Sequence, residues 1–373
     1  MEEFDIRHIK YLFGINSFYL RCVIGFLGTF FLTYISVPKI IRVSYKKNLM
    51  VTPGQRSSHI RKTPNLGGIA IFYSIVVMAS ICAYELFTSY IFLFAAIVIL
   101  FFIGLMDDIL VVAPNKKFYA QIITAIMISV GSNVRIGHFF GIMGINLIPY
   151  WLSIIFTVFV FIFLINAFNL IDGIDGLASG IAILACCAFI FTFWRLSTNI
   201  NYAMIVLALT IIGSLLAFLK FNFSVKYKIF MGDTGSMIVG FLLSFMAVKF
   251  LNLFLLKNAE GGPMYNLQSA PAIAMAILII PIIDTLCVFL IRLYYRTPPF
   301  KADKNHMHHR YLKLGLTHKQ VSMILVIENA FIIIVAYFLR HLNVNILLVI
   351  ILFLGFVFSF LPLILKKDSK NYG

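Results

Sequence analysis

Apolar residues fill long stretches of this chain, and short polar segments separate these stretches from one another. Most of the stretches are about 20 residues long, which is the length that a helix needs to cross the hydrocarbon core of a bilayer. The pattern predicts about eleven membrane-spanning helices, near residues 15–37, 67–86, 89–106, 118–133, 148–169, 177–194, 202–219, 236–256, 271–292, 321–339 and 344–364. The fourth is the weakest, because it is short and carries Gln121, Thr124 and Ser129.

The composition leads to the same class of protein. Hydrophobic residues make up 61% of the 373 residues, charged residues make up 12%, and the mean hydropathy is +0.99. Soluble domains are nearer half apolar, so we predict an all-α, polytopic membrane protein. The five cysteines lie inside apolar stretches, as small buried residues do. No internal repeat or long linker divides the chain, so residues 1–373 are predicted to form one integral membrane domain.

The basic residues predict how the helices are oriented in the membrane. The segment after the first span carries seven Lys and Arg, and the loops after spans 3, 7 and 9 and the C-terminal tail carry fifteen more, which makes 22 of the 30. Because the loops richest in Lys and Arg stay in the cytoplasm, the N-terminus is predicted to lie outside and the C-terminus inside. The start, MEEFDIRHIK, lacks the positive n-region of a cleaved signal peptide, so the first span is expected to be retained. The net charge of +16 then reflects topology and anionic lipid, and not nucleic acid.

Five acidic residues on three separate segments are predicted to emerge on this cytoplasmic side: Asp107, Asp108, Asp172, Asp175 and Asp233. Carboxylates at the edge of hydrocarbon need a cation, a metal or a substrate as partner. A proton or ion pathway would more naturally place some of them at mid-bilayer. The pattern therefore favours a catalytic face built from the cytoplasmic loops 38–66, 107–117, 169–176, 220–235 and 293–320.

The segment NAFNLIDGIDGL carries amide and carboxylate side chains at every third position, followed by glycines that allow close approach of a ligand to the backbone. Such oxygens are hard ligands of the kind that Mg²⁺ shares with substrate phosphates. Capping of the next helix would explain one aspartate but not the whole set. In GLMDDIL, adjacent side chains diverge by about 100° on a helix, so both carboxylates do not readily bind one metal. A solvated helix end is the alternative for this pair.

Two further segments carry candidate chemistry. In KIFMGDTGS, Asp233 lies in a glycine-rich turn at a predicted helix N-terminus, which favours anions and suggests a metal that bridges the carboxylate to phosphate. Phe230, just before it, either stacks on a base or anchors the interface. In DKNHMHHRYLKLG, histidines and basic residues suit a diphosphate better than zinc, since no cysteine is near. Asp284 lies alone inside span 9 and is predicted to have either a structural or a substrate role.

Together these segments resemble the polyprenyl-phosphate N-acetylhexosamine-1-phosphate transferases (glycosyltransferase family 4), a superfamily that includes the phospho-N-acetylmuramoyl-pentapeptide transferases. The resemblance runs in order over most of the chain through RSSHIRKTPNLGG, MDDIL, NAFNLIDGIDGLASG, FNFSVKYKIFMGDTGS, PIIDTLCVFLIR and ADKNHMHHRYLKLG. Each segment alone is modest evidence, and the ordered set carries the resemblance.

The resemblance implies a Mg²⁺-dependent phosphotransfer, with Mn²⁺ as the alternative ion, from a UDP-N-acetylhexosamine to undecaprenyl phosphate, with release of UMP. It implies metal binding by Asp233 and Asp108, and it favours Asp107 over Asp108 as general base without deciding between them. The expected catalytic residues are Asp107, Asp108, Asp172, His306 and His308. The expected substrate-binding residues are Asn169, Asp175, Asn222, Phe230, His309 and Arg310.

The sequence H-M-H-H-R in place of three consecutive histidines and Phe-Glu resembles the branch that initiates O-antigen, common antigen or teichoic-acid linkage, typically with UDP-N-acetylglucosamine. The resemblance implies a multi-pass protein of the bacterial inner membrane with its active site facing the cytoplasm, and it is compatible with a homodimer. Two other classes are carried forward. One is a cation-coupled transporter, which would be favoured if the fourth span did not cross. The other is a non-catalytic scaffold for glycan assembly.

Overall fold

The protein is an α-helical bundle. The computed structural model describes residues 18–50, 63–110, 112–195, 199–255, 267–296 and 306–369. The N-terminal residues 1–17, residues 56–62 of the first resembling segment and residues 302–305 of the last one lie outside the described residues.

The first half of the bundle contains the helices α1 (Phe18–Lys46), α2 (Gly67–Cys82), α3 (Tyr84–Ser89), α4 (Ile91–Leu110) and α5 (Pro114–Ile126), which continues into a π-helical turn (Met127–Gly131). A short antiparallel hairpin follows, with strands β1 (His138–Ile142) and β2 (Ile145–Leu147).

The remaining helices are α6 (Tyr150–Ile171), α7 (Leu177–Arg195), α8 (Asn199–Asn222), α9 (Gly232–Leu253), α10 (Ala270–Ile277), α11 (Ile279–Tyr294), α12 (Met307–Leu312), α13 (His318–Phe338) and α14 (Val344–Ser369).

Helix α9 lies at the centre of the bundle. Its sequence is apolar on every side, which is typical of a helix that is surrounded by other helices, and 89% of its most apolar window is buried. It packs against α6 and α4, while α1 packs along α8 and α2. The outer helices expose large apolar side chains such as Phe102, Phe159 and Phe353. Apolar side chains on the outside of a bundle suit contact with lipid, so this is a polytopic, all-α membrane protein.

Every predicted span coincides with a helix. Among the described residues, eight helices are long and apolar enough to cross a membrane, and the bent pair α10–α11 makes a ninth. The two weaker predicted spans are the 16-residue helix α2 and the helix α5 with its π-helical turn. The count of eleven and the orientation are compatible with this structure and stay predictions.

The ninth predicted span, 271–292, is a broken helix and not a straight one. Helices α10 and α11 meet at an angle of 79°. The side chain of Asn329 compensates for the hydrogen bonds lost at the break: its Nδ2 donates to the carbonyls of Ala276 (3.2 Å) and Ile277 (3.3 Å), and its Oδ1 accepts from the amide of Ile280 (3.4 Å). Hydropathy does not predict this break, because the partner that stabilises it lies about 50 residues further along the chain.

Candidate active site

A polar cavity of about 380 Å³ lies where the ends of several helices meet. Its walls come from the segment before α2, the end of α4, the α6–α7 turn, the end of α8, the start of α9, and α12. Among the predicted site residues, the lining contains Asp108, Asn169, Asp172, Asp175, Asn222, Phe230, Asp233 and His309. Four acidic residues from three segments therefore share one cavity.

The shared cavity also fixes the direction of the fourth predicted span. Asp108 ends α4 and Asp172 follows α6, and both line the same cavity. The chain between them must therefore travel to the far end of the bundle before α6 returns. Helix α5 and its π-helical turn make that passage, so the condition that would favour the transporter, a fourth span that does not cross, is not met.

Asp108 is held by the start of α9. Its Oδ1 accepts hydrogen bonds from the backbone amide of Asp233 (2.9 Å) and from the side-chain Nδ2 of Asn65 (3.2 Å). Its Oδ2 accepts hydrogen bonds from the backbone amide (3.0 Å) and the hydroxyl (2.6 Å) of Thr234. A carboxylate offers about four acceptor sites, so these four donors fill them. The exposed N–H groups of a helix N-terminus favour a negative charge at this place. Asp108 therefore joins α4 to α9 and fixes the geometry around Asp233.

The turn before Asp233 requires glycine. Gly232 has φ of +73°, and a Cβ at this position would lie 2.1 Å from the carbonyl oxygen of Asn65 and 2.6 Å from Asp108 Oδ2. Left-handed backbone and close approach of another chain segment are the two conditions that glycine alone meets without strain.

We expect Gly232→Ala to lower both the thermal stability and the activity. The backbone conformation alone costs about 1–3 kcal/mol, and the added methyl group pushes Asp108 away from the start of α9. The matched control is Gly144→Ala in the hairpin, which has φ of +80° but no atom within 4 Å of the added Cβ. Thermal unfolding in the same detergent compares the two variants. Equal losses of stability would show that the contact with Asp108 has no importance.

Lys117 lies between two of the carboxylates. Its Nζ is 2.6 Å from Asp107 Oδ2 and 2.5 Å from Asp233 Oδ2. Burial lowers the pKa of Lys117, but the charges of Asp233 and Asp107 outweigh this effect, so the pKa is raised and the ammonium keeps its proton. Asp107 also accepts a hydrogen bond from the amide of Val112 (2.7 Å). The sequence alone predicts only that Lys117 lies on the cytoplasmic side, since nothing in it indicates that this residue meets Asp233, 116 positions away.

Asp172 follows α6 and faces into the cavity. Burial, together with the negative charges of Asp233, Asp108 and Asp175, raises its pKa well above the usual value. Within the part of the chain that the structure describes, no hydrogen bond or ion pair joins Asp172 to another residue. A carboxylate in this setting is stabilised by a cation, which would lower its pKa again.

The donors in the cavity fit a hard divalent cation that is shared with substrate. No three His, Cys, Asp or Glu side chains of the described residues converge on a single point, so a site made wholly of protein ligands, as zinc would use, is not present there. Asp172 and Asp233 supply carboxylate oxygens on facing segments. Mg²⁺ is usually bound through one or two carboxylates, with waters and substrate phosphates as the other ligands.

The cavity lining also contains Phe230, Asp175 and Asn222. Lys228 Nζ is 2.6 Å from Asp175 Oδ2 and lies 5.7 Å from the centre of the Phe230 ring. Asn222 joins two loops, because its Oδ1 accepts from the amide of Gly176 (2.7 Å) and its Nδ2 donates to the carbonyl of Ile229 (2.9 Å). The aromatic ring and the polar groups around it form a surface on which a planar base can stack.

The histidine segment contributes unequally. His309 lines the cavity, while His308 lies behind Gly173, where an added Cβ would be 2.9 Å from His308 Nε2. Burial lowers the pKa of His308 to about 3, so its ring is neutral. His306 and Arg310 are not part of the cavity lining: His306 contacts Asp284, and the guanidinium of Arg310 donates to the carbonyl (2.9 Å) and hydroxyl (3.2 Å) oxygens of Ser359.

The fold and the site define an integral membrane protein whose helix ends enclose an acidic cavity, and lysines pair with two of the carboxylates of that cavity. Residues 90–251 match the family model described as glycosyl transferase family 4. The chain is 29% identical to a probable undecaprenyl-phosphate N-acetylglucosaminyl 1-phosphate transferase of Bacillus subtilis, over 93% of this chain and 94% of the relative. The family match covers the central part of the chain, and together with this relative it supports a resemblance to glycosyl transferase family 4.

Two other relatives are similar over shorter parts. A decaprenyl-phosphate N-acetylglucosaminephosphotransferase of Mycobacterium tuberculosis (strain H37Rv) is 28% identical over 79% of this chain and 76% of the relative. An undecaprenyl-phosphate alpha-N-acetylglucosaminyl 1-phosphate transferase of Escherichia coli O157:H7 is 27% identical over 78% of this chain and 76% of the relative.

Proposed function

We propose that this protein transfers N-acetylglucosamine 1-phosphate from UDP-N-acetylglucosamine to undecaprenyl phosphate. An oxygen of the lipid phosphate attacks the β-phosphorus of the donor, a new P–O bond forms, and the bond between the β-phosphorus and the bridging oxygen breaks. The electron pair of that bond leaves with UMP. The product is a lipid diphosphate sugar, the first membrane-bound intermediate of a cell-surface glycan.

The observation that carries the proposal is the single cavity that joins Asp172 and Asp233 to His309 at the helix ends. Both reactants are anions, so their encounter is opposed by repulsion unless positive charge lies between them. The names of the relatives supply the substrate class: each pairs a polyprenyl phosphate with N-acetylglucosamine phosphate.

The hydrogen bonds favour Asp107 as the general base. The carboxylate of Asp108 already accepts four hydrogen bonds, whereas Asp107 accepts one from Lys117 and one from Val112. Asp107 does not itself line the acidic cavity but lies next to it, joined to Asp233 through Lys117, and it has acceptor sites left for the proton of the lipid phosphate. The same argument reduces the metal ligands proposed from this chain to Asp233 and Asp172, with Asp108 as the residue that holds Asp233 in place.

A bound Mg²⁺, or Mn²⁺ as the alternative ion, would neutralise charge on the diphosphate. The other roles belong to the chain itself. His309 donates a hydrogen bond to a donor phosphate, and Phe230 stacks on the uracil. Asp175 holds the base edge after exchanging part of its contact with Lys228. Asn169, whose Nδ2 donates to Ser236 Oγ (3.0 Å), fixes the α6–α9 wall of the cavity.

The prenyl chain has a candidate seat in a second cavity. This cavity, of about 420 Å³, is almost wholly apolar and is lined by α6, the bent pair α10–α11 and the hairpin, including Phe156, Phe159 and Leu278. Helix α6 lines it at mid-length and ends at Asp172, so one helix leads from the apolar cavity to the acidic one. We propose that the acidic cavity opens to the cytoplasm, where UDP-sugars are present.

The experiment is a transfer assay with purified protein, undecaprenyl phosphate, Mg²⁺ and a panel of labelled UDP-sugars, which follows label into the organic phase and UMP in the aqueous phase. We expect UDP-N-acetylglucosamine to be the preferred donor and EDTA to abolish transfer. Preference for another UDP-N-acetylhexosamine would correct the sugar and keep the reaction. Folded protein that transfers sugar phosphate from none of the donors would overturn the proposal and favour the transporter or scaffold alternative.

A further inference from the structure

Helix α12, which carries the histidines, is held by buried side chains of three different helices. It has six residues, and a helix of this length is not stable alone in water. Asp284 of α11 contacts its N-terminal end, Ser359 of α14 contacts Arg310, and Glu328 of α13 accepts a hydrogen bond from the hydroxyl of Tyr311. These contacts, and not helix propensity, determine where the histidines lie.

Asp284 makes two contacts with the N-terminal end of α12. The residue is 1% exposed, and both of its carboxylate oxygens are used: Oδ2 is 2.8 Å from His306 Nδ1, and Oδ1 accepts from the amide of Met307 at 2.5 Å. A buried carboxylate without partners is unfavourable, so these two contacts fix the N-terminal end of α12 against α11. Because an ionised carboxylate only accepts hydrogen bonds, the proton of His306 on this side lies on Nδ1.

The three histidine rings then lead from Asp284 to the cavity. The rings of His306 and His308 are stacked with centroids 5.4 Å apart and an angle of 12° between their planes. The rings of His308 and His309 are 4.3 Å apart, and of the three only His309 lines the acidic cavity. The position of His309 therefore depends on a stack whose far end is fixed by Asp284.

We propose that Asp284 is a positioning residue for the transfer reaction, and that it acts through His306 and the Met307 amide to place His309 against the donor phosphate. The inference rests on the proposed function. It assigns to His306 a supporting part behind the site, where the resemblance implies direct catalysis. It also explains why an aspartate lies inside a span, without the need for an ion pathway.

The test uses Asp284→Asn, which keeps the volume but presents an amide N–H₂ to one of its two donors, and Asp284→Ala, which removes both contacts. We expect kcat/KM for the UDP-sugar to fall about 10- to 100-fold, as for a small misplacement of a catalytic group. The matched control is Val288→Ala, one turn further along α11. Val288 is also buried but has no polar side-chain atom with which to hold α12, so its rate should stay near that of the wild type.

A double variant separates positioning from a general loss of structure. If Asp284 acts only by placing His309, Asp284→Asn lowers kcat/KM no further in a His309→Ala background. Losses that multiply in the double variant would overturn the inference, and so would Asp284 variants with wild-type kcat/KM.

A second readout does not depend on catalysis. His308 is 2% exposed, so it should react slowly with diethyl pyrocarbonate in the wild type and in Val288→Ala, and faster in Asp284→Ala, as measured by peptide mass spectrometry. Unchanged reactivity of His308 would contradict the anchoring contact. A wild-type protein that transfers sugar phosphate from none of the donors would instead contradict the proposed function, whatever the reactivity of His308.

Discussion

Asp233→Asn is expected to lower the rate of sugar-phosphate transfer about 100- to 1,000-fold, which is the loss typical of removing one preorganised electrostatic contact from an active site. The substitution keeps the shape of the side chain and removes its charge. Asp233 lines the acidic cavity, and its Oδ2 is 2.5 Å from Lys117 Nζ. The substitution therefore removes the charge of the group that we propose to hold the divalent cation against the donor diphosphate.

The measurement is the initial rate of label transfer at saturating lipid and UDP-sugar, over a range of Mg²⁺ concentrations. We expect higher Mg²⁺ to recover part of the lost rate, because the variant has a weaker site. Glu85→Gln is the matched control, since Glu85 pairs with Arg21 at the opposite end of α2. A folded Asp233→Asn protein with the rate of the wild type would contradict this role for Asp233.

Lys117→Met is expected to lower transfer by about two orders of magnitude, since misplacing catalytic groups by small distances has effects of this size. It should also increase the stabilisation that Mg²⁺ gives. The ammonium of Lys117 pairs with both Asp107 and Asp233, and it offsets the repulsion between the two carboxylates. Without it, two partly buried carboxylates face each other with no counter-charge, and a divalent cation is the replacement that the solution offers.

The midpoint of thermal unfolding, measured with and without Mg²⁺, tests this prediction independently of activity. The neighbouring residue supplies the control: Lys116 is exposed and has the same chemistry, so Lys116→Met should behave as the wild type does. If Mg²⁺ shifts the midpoints of both variants equally, Lys117 does not compete with a cation for the two carboxylates.

The sequence predicts the main elements of this molecule because membrane helices have a strong local signature. The cavity wall around Asp233 is also predictable, since the glycine turn and the helix that follows it lie within a few residues of one another. Of the three histidines predicted at the site, only His309 lines the cavity.

Other features depend on contacts between distant segments and have no local signature. The two lysines that hold Asp107 and Asp175 lie 10 and 53 positions from those residues. The bend between α10 and α11 needs Asn329, and Ser359 holds Arg310 away from the acidic cavity. A basic loop next to phosphate chemistry suggests that each cation contacts substrate, whereas burial assigns Arg310 to the packing of α12 on α14.

Donor labelled in its β-phosphate gives the most direct test of the central claim, that this cavity transfers a sugar phosphate and not a sugar. The label is followed with undecaprenyl phosphate as acceptor, and the soluble nucleotide product is identified in the same reaction. Attack at the β-phosphorus predicts that the β-label enters the lipid fraction while unlabelled UMP is released in equal amount, and that both fall together in Asp233→Asn. Label retained in soluble UDP, with sugar alone on the lipid, would contradict the mechanism.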